Sequence, residues 1–464
     1  MTKKIKSSAK EKNLRTTSMW LNSLSSAEKE LLQKWSYHCS CFYNVCLYQL
    51  RQSFFNKERI PNDTELYHLT KTNEHFSLLM NDCSQQIRRV AVSDMNSFLG
   101  QLKAKTSNTI KNAVRFPKYK KDKYSKETLL SNIIFNGRVA SKVKSDFKNP
   151  TIQRIRINSS KNFKTLYPEM LHSIEFSIPS VVEKINEIRI IPYFKGEAFK
   201  MEIIYEVKPN LEKRPDNGRY LSIDPGLNNL LTCFNSTTGA SIILDGRYLK
   251  SINQWYNKKN SKFQSQLDLL KNEKINDLMQ LNRLIRKKNK LSRKRNNVLL
   301  NYFHRSANYL VDYCVKHNIN TIIIGENKEQ KQEINIGAVN NQNFVSIPFY
   351  KLKKLIEYKA KQVGINYCTH EESYTSKTSF LDLEPISKRT VYVGKRVNRG
   401  LFKTAEGMLL NADVNGAGNI LRKYLTSSGN FESWHSQHFE EASRGIVNCP
   451  RKLTLSCLQD FKAS

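Results

Sequence analysis

Acidic residues follow several predicted strands, at positions where an α/β fold gathers catalytic groups. Asp224 ends the buried stretch LSID, and the Pro-Gly pair after it predicts a chain reversal. Glu326 and Glu372 follow two later strands, and Asp413 begins a predicted helix. Gathered carboxylates repel one another unless divalent cations neutralise them. Two Mg²⁺ ions about 4 Å apart would activate a water and stabilise the leaving oxygen of a phosphodiester.

The elements around these acids predict an RNase H-like nuclease core. Three antiparallel strands are followed by a helical stretch, a strand, a helix, a strand and a final helix, and the predicted ranges are 221–224, 230–235, 240–245, 249–318, 321–324, 346–363, 365–369 and 413–424. Ends of strands and the start of the last helix converge in such a fold. A plain Asp-Pro-Gly turn without chemistry is the alternative for Asp224 taken alone.

The charge of the chain indicates a polyanionic partner. Its 464 residues carry 76 Lys+Arg against 41 Asp+Glu, a formal net charge of +35. Nucleic acid is the default partner of such a protein. Residues 281–296 hold eight basic residues and no acid, whereas a solvated helix face usually alternates the two signs. The contacts predicted on this helix are Arg286, Lys287, Lys288, Arg293, Lys294 and Arg295.

Two further basic stretches are predicted to contact nucleic acid. Residues 115–124 interleave cations with aromatic rings, which suits phosphate contacts and base stacking. A solvated basic loop is an equal alternative for that stretch. The predicted contacts are Arg115, Lys118, Tyr119, Lys120 and Lys121 in the first stretch and Lys395, Arg396 and Arg399 in the second.

The N-terminal half combines helices with strands. A first strand is predicted near residues 14–19, helices over about 25–110, and a β-rich barrel or sandwich over 129–208. A Ser-x-x-Glu capping box at Ser25 opens the first helix. The fold class is therefore α/β plus β, with the helical module inserted before most of the strands.

Cysteine usage and hydropathy indicate the cellular compartment in which the protein works. The nine cysteines include no CxxC pair, which argues for reduced thiols and against a zinc site built from cysteine pairs. No apolar run approaches the roughly 18 residues that span a bilayer, and the N-terminus lacks an apolar signal core. We expect a cytoplasmic, nucleoid-associated prokaryotic protein with no membrane partner.

Four segments resemble the RuvC nuclease motifs of the TnpB family. They are Ser222–Gly226 (SIDPG), Ile322–Asn327 (IIIGEN), Tyr374–Lys377 (YTSK) and Asn411–Ile420 (NADVNGAGNI). TnpB proteins are transposon-encoded, RNA-guided DNA endonucleases related to Fanzor and to compact type V CRISPR effectors. The resemblance implies a RuvC domain, a β-barrel wedge domain and an inserted helical recognition lobe.

The resemblance also implies domain boundaries. We expect the start of the wedge domain at 1–24, the recognition domain at 25–110, the wedge β domain at 111–210, a linker at 211–218, the RuvC domain at 219–372, a cysteine-free remnant of a zinc-ribbon insertion at 373–410, the end of RuvC at 411–427 and a tail at 428–464. The tail has no recognisable pattern and is expected to be partly disordered.

Two departures from the family pattern matter. The zinc-ribbon CxxC pairs are missing, so no zinc is predicted. The usual glutamate directly after the fourth strand is replaced by Gly325, and Glu326 comes one residue late. Glu372, just before the Tyr-Thr-Ser motif, is favoured as the third acid. The expected metal ligands and catalytic acids are Asp224, Glu372 and Asp413, with Glu326 as the alternative.

By resemblance, the protein binds a guide RNA, recognises a short motif beside its target and cuts double-stranded DNA in a single Mg²⁺-dependent RuvC site, where Mn²⁺ could substitute. The guide is a transposon-end or a CRISPR-type RNA, and the oligomeric state stays open. A cleavage-deficient RNA-guided repressor and a strand-transfer transposase are the alternatives.

Overall fold

The computed structural model describes residues 14–107, 113–121, 127–139, 141–143, 152–182, 184–207, 213–272, 278–326, 347–398, 400–458 and 460–461. The chain divides into two compact units, Met1–Lys208 and Pro209–Ser464. None of the described helices combines the length and the apolar character that crossing a lipid bilayer requires.

The helices of the first unit begin with a long, well-capped one. The described helices are α1 (Ser26–Phe55), α2 (Asp63–Thr70), α3 (Glu74–Leu78), α4 (Asn81–Thr106) and α5 (Lys161–Leu166). The side chain of Ser25 accepts from the backbone N–H of Glu28, and the Glu28 carboxylate accepts from the backbone N–H of Ser25. This reciprocal pair confirms the predicted capping box.

Two sheets complete the first unit. Their strands are β1 (Leu14–Trp20), β2 (Ile133–Asn136), β3 (Ser141–Val143), β4 (Ile152–Asn158), β5 (Ser173–Pro179), β6 (Lys184–Tyr193) and β7 (Ala198–Glu206). One sheet has the order β1-β7-β6-β2 and the other β3-β4-β5. In the sequence, helices α1 to α4 thus lie between β1 and β2, which are strands of the same sheet. No ladder links the two sheets within the described strands, so closure into a barrel stays a prediction.

Helices and sheets of the first unit share one hydrophobic core. Leu31 and Phe42 of α1 belong to the same buried cluster as Ile133 of β2 and Ile203 of β7. Apolar residues of α1 at helical spacing, Trp35, Cys39, Phe42, Cys46 and Leu50, are buried within it. This shared core means that the inserted helices are stabilised by the sheets on which they pack.

The second unit is organised around a six-stranded sheet. Its strands are β8 (Tyr220–Pro225), β9 (Asn229–Asn235), β10 (Ser241–Asp245), β11 (Thr321–Glu326), β12 (Asn366–Glu371) and, numbered by chain position, β16 (Arg451–Leu453). The order is β12-β11-β8-β9-β10-β16. Strands β8, β9 and β10 are antiparallel, whereas β11 runs parallel to β8 and β12. This is the arrangement of an RNase H-like sheet.

Helices pack against this sheet. The described ones are α6 (Arg247–Asn272), α7 (Leu278–Lys316), α8 (Phe349–Gln362), α9 (Ala412–Ser428) and α10 (Phe431–Ile446). Residues Thr321 to Gly325 of β11 are all buried, as expected for a central strand with apolar residues at successive positions. Helix α9 begins at Asn411, whose side chain caps it, and ends at Gly429, which adopts a φ of 74°.

One expectation about the C-terminal part is wrong. The tail is not patternless: residues 431–446 form α10, and β16 adds a parallel edge strand to β10. Trp434 of α10 is buried and donates its indole N–H to the carbonyl of Ser236 at 3.0 Å.

The segment between β12 and α9 contains a small sheet. Its strands are β13 (Lys395–Asn398), β14 (Leu401–Lys403) and β15 (Leu409–Asn411).

Candidate active site

Asp224 lies where β8 meets the first turns of α9. It pairs with Thr232 of β9 in the ladder, one residue before β8 ends. A Cβ at Gly416 of α9 would stand 2.8 Å from Oδ2 of Asp224. The helix can therefore approach the carboxylate this closely only with glycine at that position. The NGAG segment of α9 accordingly fixes the distance between the last helix and the first strand.

Asp413 lies in the first turn of α9 and is held by two donors. The Asn411 cap orients that turn by accepting from the backbone N–H of Asp413 at 3.0 Å. Asn229 of β9 donates to Oδ2 of Asp413 at 2.7 Å, and Arg396 of β13 donates to Oδ1 at 3.0 Å. Asp224, Asn229, Arg396 and Asp413 all line one cavity of about 410 Å³. The two predicted aspartates therefore face a common space.

Glu372 follows β12 directly and reaches over the neighbouring strand. A Cβ at Gly325 of β11 would lie 2.5 Å from Oε2 of Glu372 and 2.7 Å from Cδ1 of Ile420. The Glu372 carboxylate thus occupies the space beside the end of β11. Its side chain lies where an acid at position 325 would have projected.

Glu326, the alternative third acid, has a different environment. Its side chain is 41% exposed, and its Oε1 lies 4.0 Å from Nζ of Lys353 on α8. The same Nζ donates to the carbonyl of Gly325 at 2.8 Å. Glu326 is therefore paired with a lysine at the helix, whereas Glu372 lies against the strand end itself.

Burial and like charge dominate the electrostatics of this site. Burial raises the pKa of Asp224 well above its usual range, and the charges of Glu372 and Asp413 raise it further, opposed by Arg396. Burial also raises the pKa of Glu372, while Lys353 lowers it. Glu372 and Asp413 therefore both act electrostatically on Asp224.

Such a donor set fits a hard divalent cation. Carboxylate oxygens are the ligands that Mg²⁺ prefers, and a cation would relieve the repulsion that raises the pKa of Asp224. Within the described ranges, however, no three acidic, histidine or cysteine side chains converge closely enough to form a metal-binding group. Asp413 instead has one oxygen on Asn229 and the other on Arg396. Assembly of the ligand set thus requires a small rearrangement of these side chains.

Side chains of α9 hold the segment after the Tyr-Thr-Ser motif. Asn415 accepts from the backbone N–H of Phe380 at 2.9 Å and donates to the carbonyl of Thr378 at 2.8 Å. Asn419 donates to the same carbonyl at 2.6 Å. Both amides are fully buried. Their role is therefore to fix this segment onto the last helix.

A buried guanidinium extends this network. Arg422 donates to the carbonyls of Ser379 and Glu384 at 3.2 and 3.1 Å. The carboxylate of Glu384 accepts from the backbone N–H groups of Ser379 and Val393, each at 3.0 Å. Hydrogen bonds of Arg422 and Glu384 therefore hold the segment that follows the Tyr-Thr-Ser motif.

The predicted nucleic-acid contacts of the second unit fall into two groups. Arg286, Lys287 and Lys294 on α7 and Lys395 on β13 are exposed. Other cations contact α6, since Lys288 donates to Gln264 and Arg295 donates to Asn253 at 2.8 Å. Arg293 is half-buried on the same helix, and Arg396 contacts Asp413 as described. Arg399 lies outside the described residues.

The contacts predicted in the first unit also differ in exposure. Arg115, Lys118 and Lys121 are exposed. Tyr119 is half-buried with the guanidinium of Arg51 4.8 Å from its ring centroid, and Lys120 lies 4.6 Å from the ring of Tyr43. Three cations of this segment are therefore exposed, while Tyr119 and Lys120 pack on α1.

Sequence reasoning missed Asn229 and Lys353. Asn229 follows the Asp-Pro-Gly turn, and the hydrogen bond that its amide gives to Asp413 spans 184 positions in the chain. Lys353 belongs to the helix predicted over residues 346–363, and its side chain is only 17% exposed. No local pattern distinguishes either residue from an ordinary surface side chain, so only the tertiary structure reveals them.

Comparison with known families gives two adjoining matches. Residues 202–331 match the OrfB_IS605 family model, described as "Probable transposase". Residues 349–420 match the model described as "Cas12f1-like, TNB domain". The first match includes Asp224 and Glu326, and the second includes Glu372 and Asp413.

Two curated relatives agree with these matches. The chain is 26% identical over 231 residues to the "TnpB-like protein ORF457" of Acidianus two-tailed virus. This alignment covers 49% of this chain and 47% of that protein. It is 29% identical over 118 residues to "CRISPR-associated endodeoxyribonuclease Cas12f1" of Sulfoacidibacillus thermotolerans, covering 25% of each chain. The matched region thus spans about half of the first relative and a quarter of the second.

A solved structure shares the fold at low sequence identity. The chain in "Cryo-EM structure of the Cas12f1-sgRNA-target DNA complex" aligns with a TM-score of 0.55 and 16% identity, over 85% of this chain and 83% of that one. The family matches, the curated relatives and this fold agree with the motifs read from the sequence. Over residues 202–331 and 349–420 the chain is therefore similar to TnpB-like proteins and to the compact effector Cas12f1.

Proposed function

We propose that this protein is an RNA-guided DNA endonuclease with a single RuvC site. The observation that carries the proposal is that Asp224 and Asp413 line one cavity. Burial raises the pKa of Asp224, and the charges of Glu372 and Asp413 raise it further. Carboxylates at strand ends and a helix start suit metal-assisted hydrolysis of a phosphodiester. Relatives named as an endodeoxyribonuclease and as TnpB-like support the same activity.

Asp224, Glu372 and Asp413 would hold the divalent ions. Bound Mg²⁺ supplies a Lewis acid that lowers the pKa of a water and neutralises phosphate charge. Arg396 would release Asp413 and bind a non-bridging phosphate oxygen of the DNA strand, since a guanidinium prefers phosphate geometry. Asn229 would keep Asp413 oriented through its remaining hydrogen bond. Gly416 would let α9 bring its acid close to Asp224.

The partners are a guide RNA and double-stranded target DNA. The net charge of +35 supplies the attraction for both. The exposed cations on α7 and at residues 115–121 would contact phosphates of the hybrid, and base pairing would read the target sequence. The related solved complex contains an sgRNA and a target DNA. Recognition of a short adjacent motif belongs to the same proposal.

The test begins with the RNA that copurifies with the full chain. Sequencing this RNA defines the guide, and the loaded protein is then offered a plasmid with a matching target beside a randomised motif. We expect Mg²⁺-dependent cleavage that Asp224→Asn and Asp413→Asn abolish. Asp268→Asn, an exposed acid on α6, is the matched control and should cut normally. Cleavage that survives Asp224→Asn would overturn the assignment, and joined rather than broken products would favour a strand-transfer transposase.

A cleavage-deficient, RNA-guided DNA-binding protein is the second candidate. Two observations favour it: Asp413 has both oxygens occupied by Asn229 and Arg396, and no group of three metal ligands is formed within the described residues. Such a protein would bind target DNA tightly and leave it intact.

The two candidates differ in one measurement. Isothermal titration of Mg²⁺ or Mn²⁺ into the complex of protein, guide and target should show binding that Asp224→Asn removes, if the nuclease proposal holds. Sequence-specific DNA binding without any metal-dependent heat or cleavage would establish the repressor-like candidate instead.

A further inference from the structure

The N-terminal unit contains a cavity of about 930 Å³. One wall is a face of α1 with Gln33, Lys34 and Tyr37, which lie within one helical turn of each other. A second wall is the extended segment at Leu130, and a third is the tip of the β6–β7 hairpin at Lys195. The volume is within the range of small-molecule and nucleotide sites.

The hairpin tip is fixed in an unusual conformation beside this cavity. Phe194, Lys195 and Gly196 have φ values of 53°, 58° and 88°, all in the left-handed region. Gln33 donates its side-chain amide to the carbonyl of Gly196 at 3.0 Å, and a Cβ on Gly196 would lie 2.7 Å from Leu130. Non-glycine residues in this region are strained, and such strain concentrates at functional sites. The tip is therefore held so that Lys195 lines the cavity.

The lining combines one aromatic ring, two ammonium groups, two carboxylates and several apolar side chains. Tyr37 is 39% exposed, so part of its ring is open to a ligand. Lys34 is held 4.5 Å from the ring centroid of Tyr167. Glu30 and Glu127 both line the cavity, which disfavours a bare anion and suits a group that carries both hydrogen-bond donors and negative charge. A nucleobase with its phosphate has this composition, since a base stacks on tyrosine and its phosphate pairs with lysine.

The basic segment at residues 115–121 runs into the same wall. The backbone N–H of Leu129 donates to the carbonyl of Lys120 at 3.0 Å, and Lys121 forms a β-bridge with Thr128. Lys121, which is exposed, therefore pairs directly with the part of the chain that lines the cavity. Its cation is available to a phosphate next to a bound nucleotide.

We propose that this cavity binds one unstacked nucleotide of a single-stranded nucleic-acid segment, with the base against Tyr37 and a phosphate near Lys195. The proposal rests on the nucleic-acid binding that the proposed function requires. It adds a site for a single residue of the strand, which neither duplex recognition nor cleavage needs.

A binding measurement tests the proposed contact between a base and the ring of Tyr37. Labelled single-stranded RNA and DNA of mixed sequence are added to the full chain, and binding is followed by fluorescence anisotropy. Tyr37→Ala should weaken binding about five- to hundredfold for the preferred strand without changing its salt dependence. Tyr48→Ala, an exposed tyrosine on the same helix that is 50% exposed and outside the cavity lining, is the control and should bind normally. Comparison of the affinities for RNA and for DNA decides which of the two strands the cavity binds.

A second variant tests the phosphate contact. Lys195→Asn removes the charge and places a residue that tolerates the left-handed region. The slope of log affinity against log salt should fall by about 0.7, the contribution of one phosphate contact on a single strand. Lys57→Asn is the matched control for Lys195→Asn, because Lys57 also has a left-handed φ, of 59°, but lies outside the lining of the cavity.

Crosslinking makes the test independent of folding defects in the variants. With 4-thiouridine or 4-thiothymidine in the strand, the unmodified protein should give adducts on the α1 peptide that contains Lys34 and Tyr37. If the protein binds the strands but adducts lie elsewhere, or if Tyr37→Ala binds like Tyr48→Ala, the cavity proposal is overturned. If the unmodified protein binds neither strand, the proposed function itself fails.

Discussion

The Glu372 carboxylate occupies the space that a side chain at position 325 would need. An ideal Cβ on Gly325 would stand 2.5 Å from Oε2 of Glu372, closer than such atoms approach. Gly325 and His370 are paired in the β11–β12 ladder, so Glu372 lies two residues beyond the point of pairing. The acid beside the end of β11 therefore comes from the neighbouring strand.

Gly325→Ala should disable the site while the fold persists. The added methyl group would displace the Glu372 carboxylate or the Cδ1 of Ile420, which lies 2.7 Å away. We expect cleavage to fall at least about tenfold, because a misplaced catalytic group costs that much or more. Overpacking should also lower the free energy of unfolding by about 1–3 kcal/mol.

Gly100→Ala is the control for that variant. Gly100 lies in α4, and a Cβ there would meet nothing within 4 Å. This change should leave cleavage unaltered and stabilise the helix by up to about 1 kcal/mol. Equal cleavage by Gly325→Ala and Gly100→Ala would show that Glu372 has no part in the reaction.

The two candidate third acids should respond differently to neutral replacement. Glu372→Gln removes a carboxylate that interacts with Asp224, and we expect cleavage to be lost over the whole range of Mg²⁺ concentration. Glu326→Gln changes a side chain that is 41% exposed and paired with Lys353. It should cut within about twofold of the unmodified protein, since a partly exposed ion pair contributes little.

A combined variant sharpens the comparison. Gly325→Glu with Glu372→Ala moves the acid from β12 to the end of β11 and removes the steric conflict between them. We expect this pair to cut DNA better than Glu372→Ala alone. Loss of cleavage in Glu326→Gln with normal cleavage in Glu372→Gln would reverse the assignment of the third acid.

The core of the second unit could be predicted because its signals are local. An apolar strand that ends in Asp-Pro-Gly, a run of isoleucines at 322–324 and a capped helix at 412 each specify an element from neighbouring residues. The strand order then follows from the few ways in which such elements pack. Asp224 and Asp413 come together for this reason and line one cavity.

The structural features that the sequence does not predict depend on contacts between residues that are distant in the chain. Strand β16 has only three residues, two of them basic, and it becomes a strand because β10 offers an open edge. The buried face of α10 has Trp434, Ala442 and Ile446 at helical spacing, but polar and charged residues separate them in the sequence. The bonds of Arg422 to Ser379 and Glu384 join positions that no sequence period connects.

Arg422 should stabilise the segment that carries residues 375–394. Arg422→Met keeps much of the volume but leaves the carbonyls of Ser379 and Glu384 without their donors. Because each unpaired buried polar group costs about 1–3 kcal/mol, we expect a loss of about 2–5 kcal/mol in the free energy of unfolding, measured by urea denaturation. Arg444→Met, which breaks an exposed pair on α10, should change it by less than about 0.5 kcal/mol.

Metal analysis tests whether zinc contributes to the stability of the same segment. We expect purified protein to contain far less than one zinc ion per chain, and a zinc chelator to leave its unfolding midpoint unchanged. Stoichiometric zinc, or a chelator effect as large as that of Arg422→Met, would contradict the view that hydrogen bonds hold this segment.

Acidification should destabilise the N-terminal unit through His38. Its Nδ1 lies 3.1 Å from Nδ1 of His75, and burial, with the neighbouring His75 and Lys34, lowers the pKa of His38 to about 4. A histidine with a depressed pKa binds its proton more readily in the unfolded chain. Stability is therefore full above the unfolded pKa near 6.5 and is lost as pH falls toward 4, by on the order of 3 kcal/mol.

Urea denaturation between pH 7.5 and pH 4 measures this loss. His38→Gln cannot bind the proton, so its free energy of unfolding should start lower at neutral pH and change less on acidification. His68→Gln is the control, because His68 is exposed on α2 and its replacement should leave the pH dependence unchanged. If His38→Gln and the unmodified protein lose the same stability between these pH values, the acid sensitivity originates elsewhere in the chain.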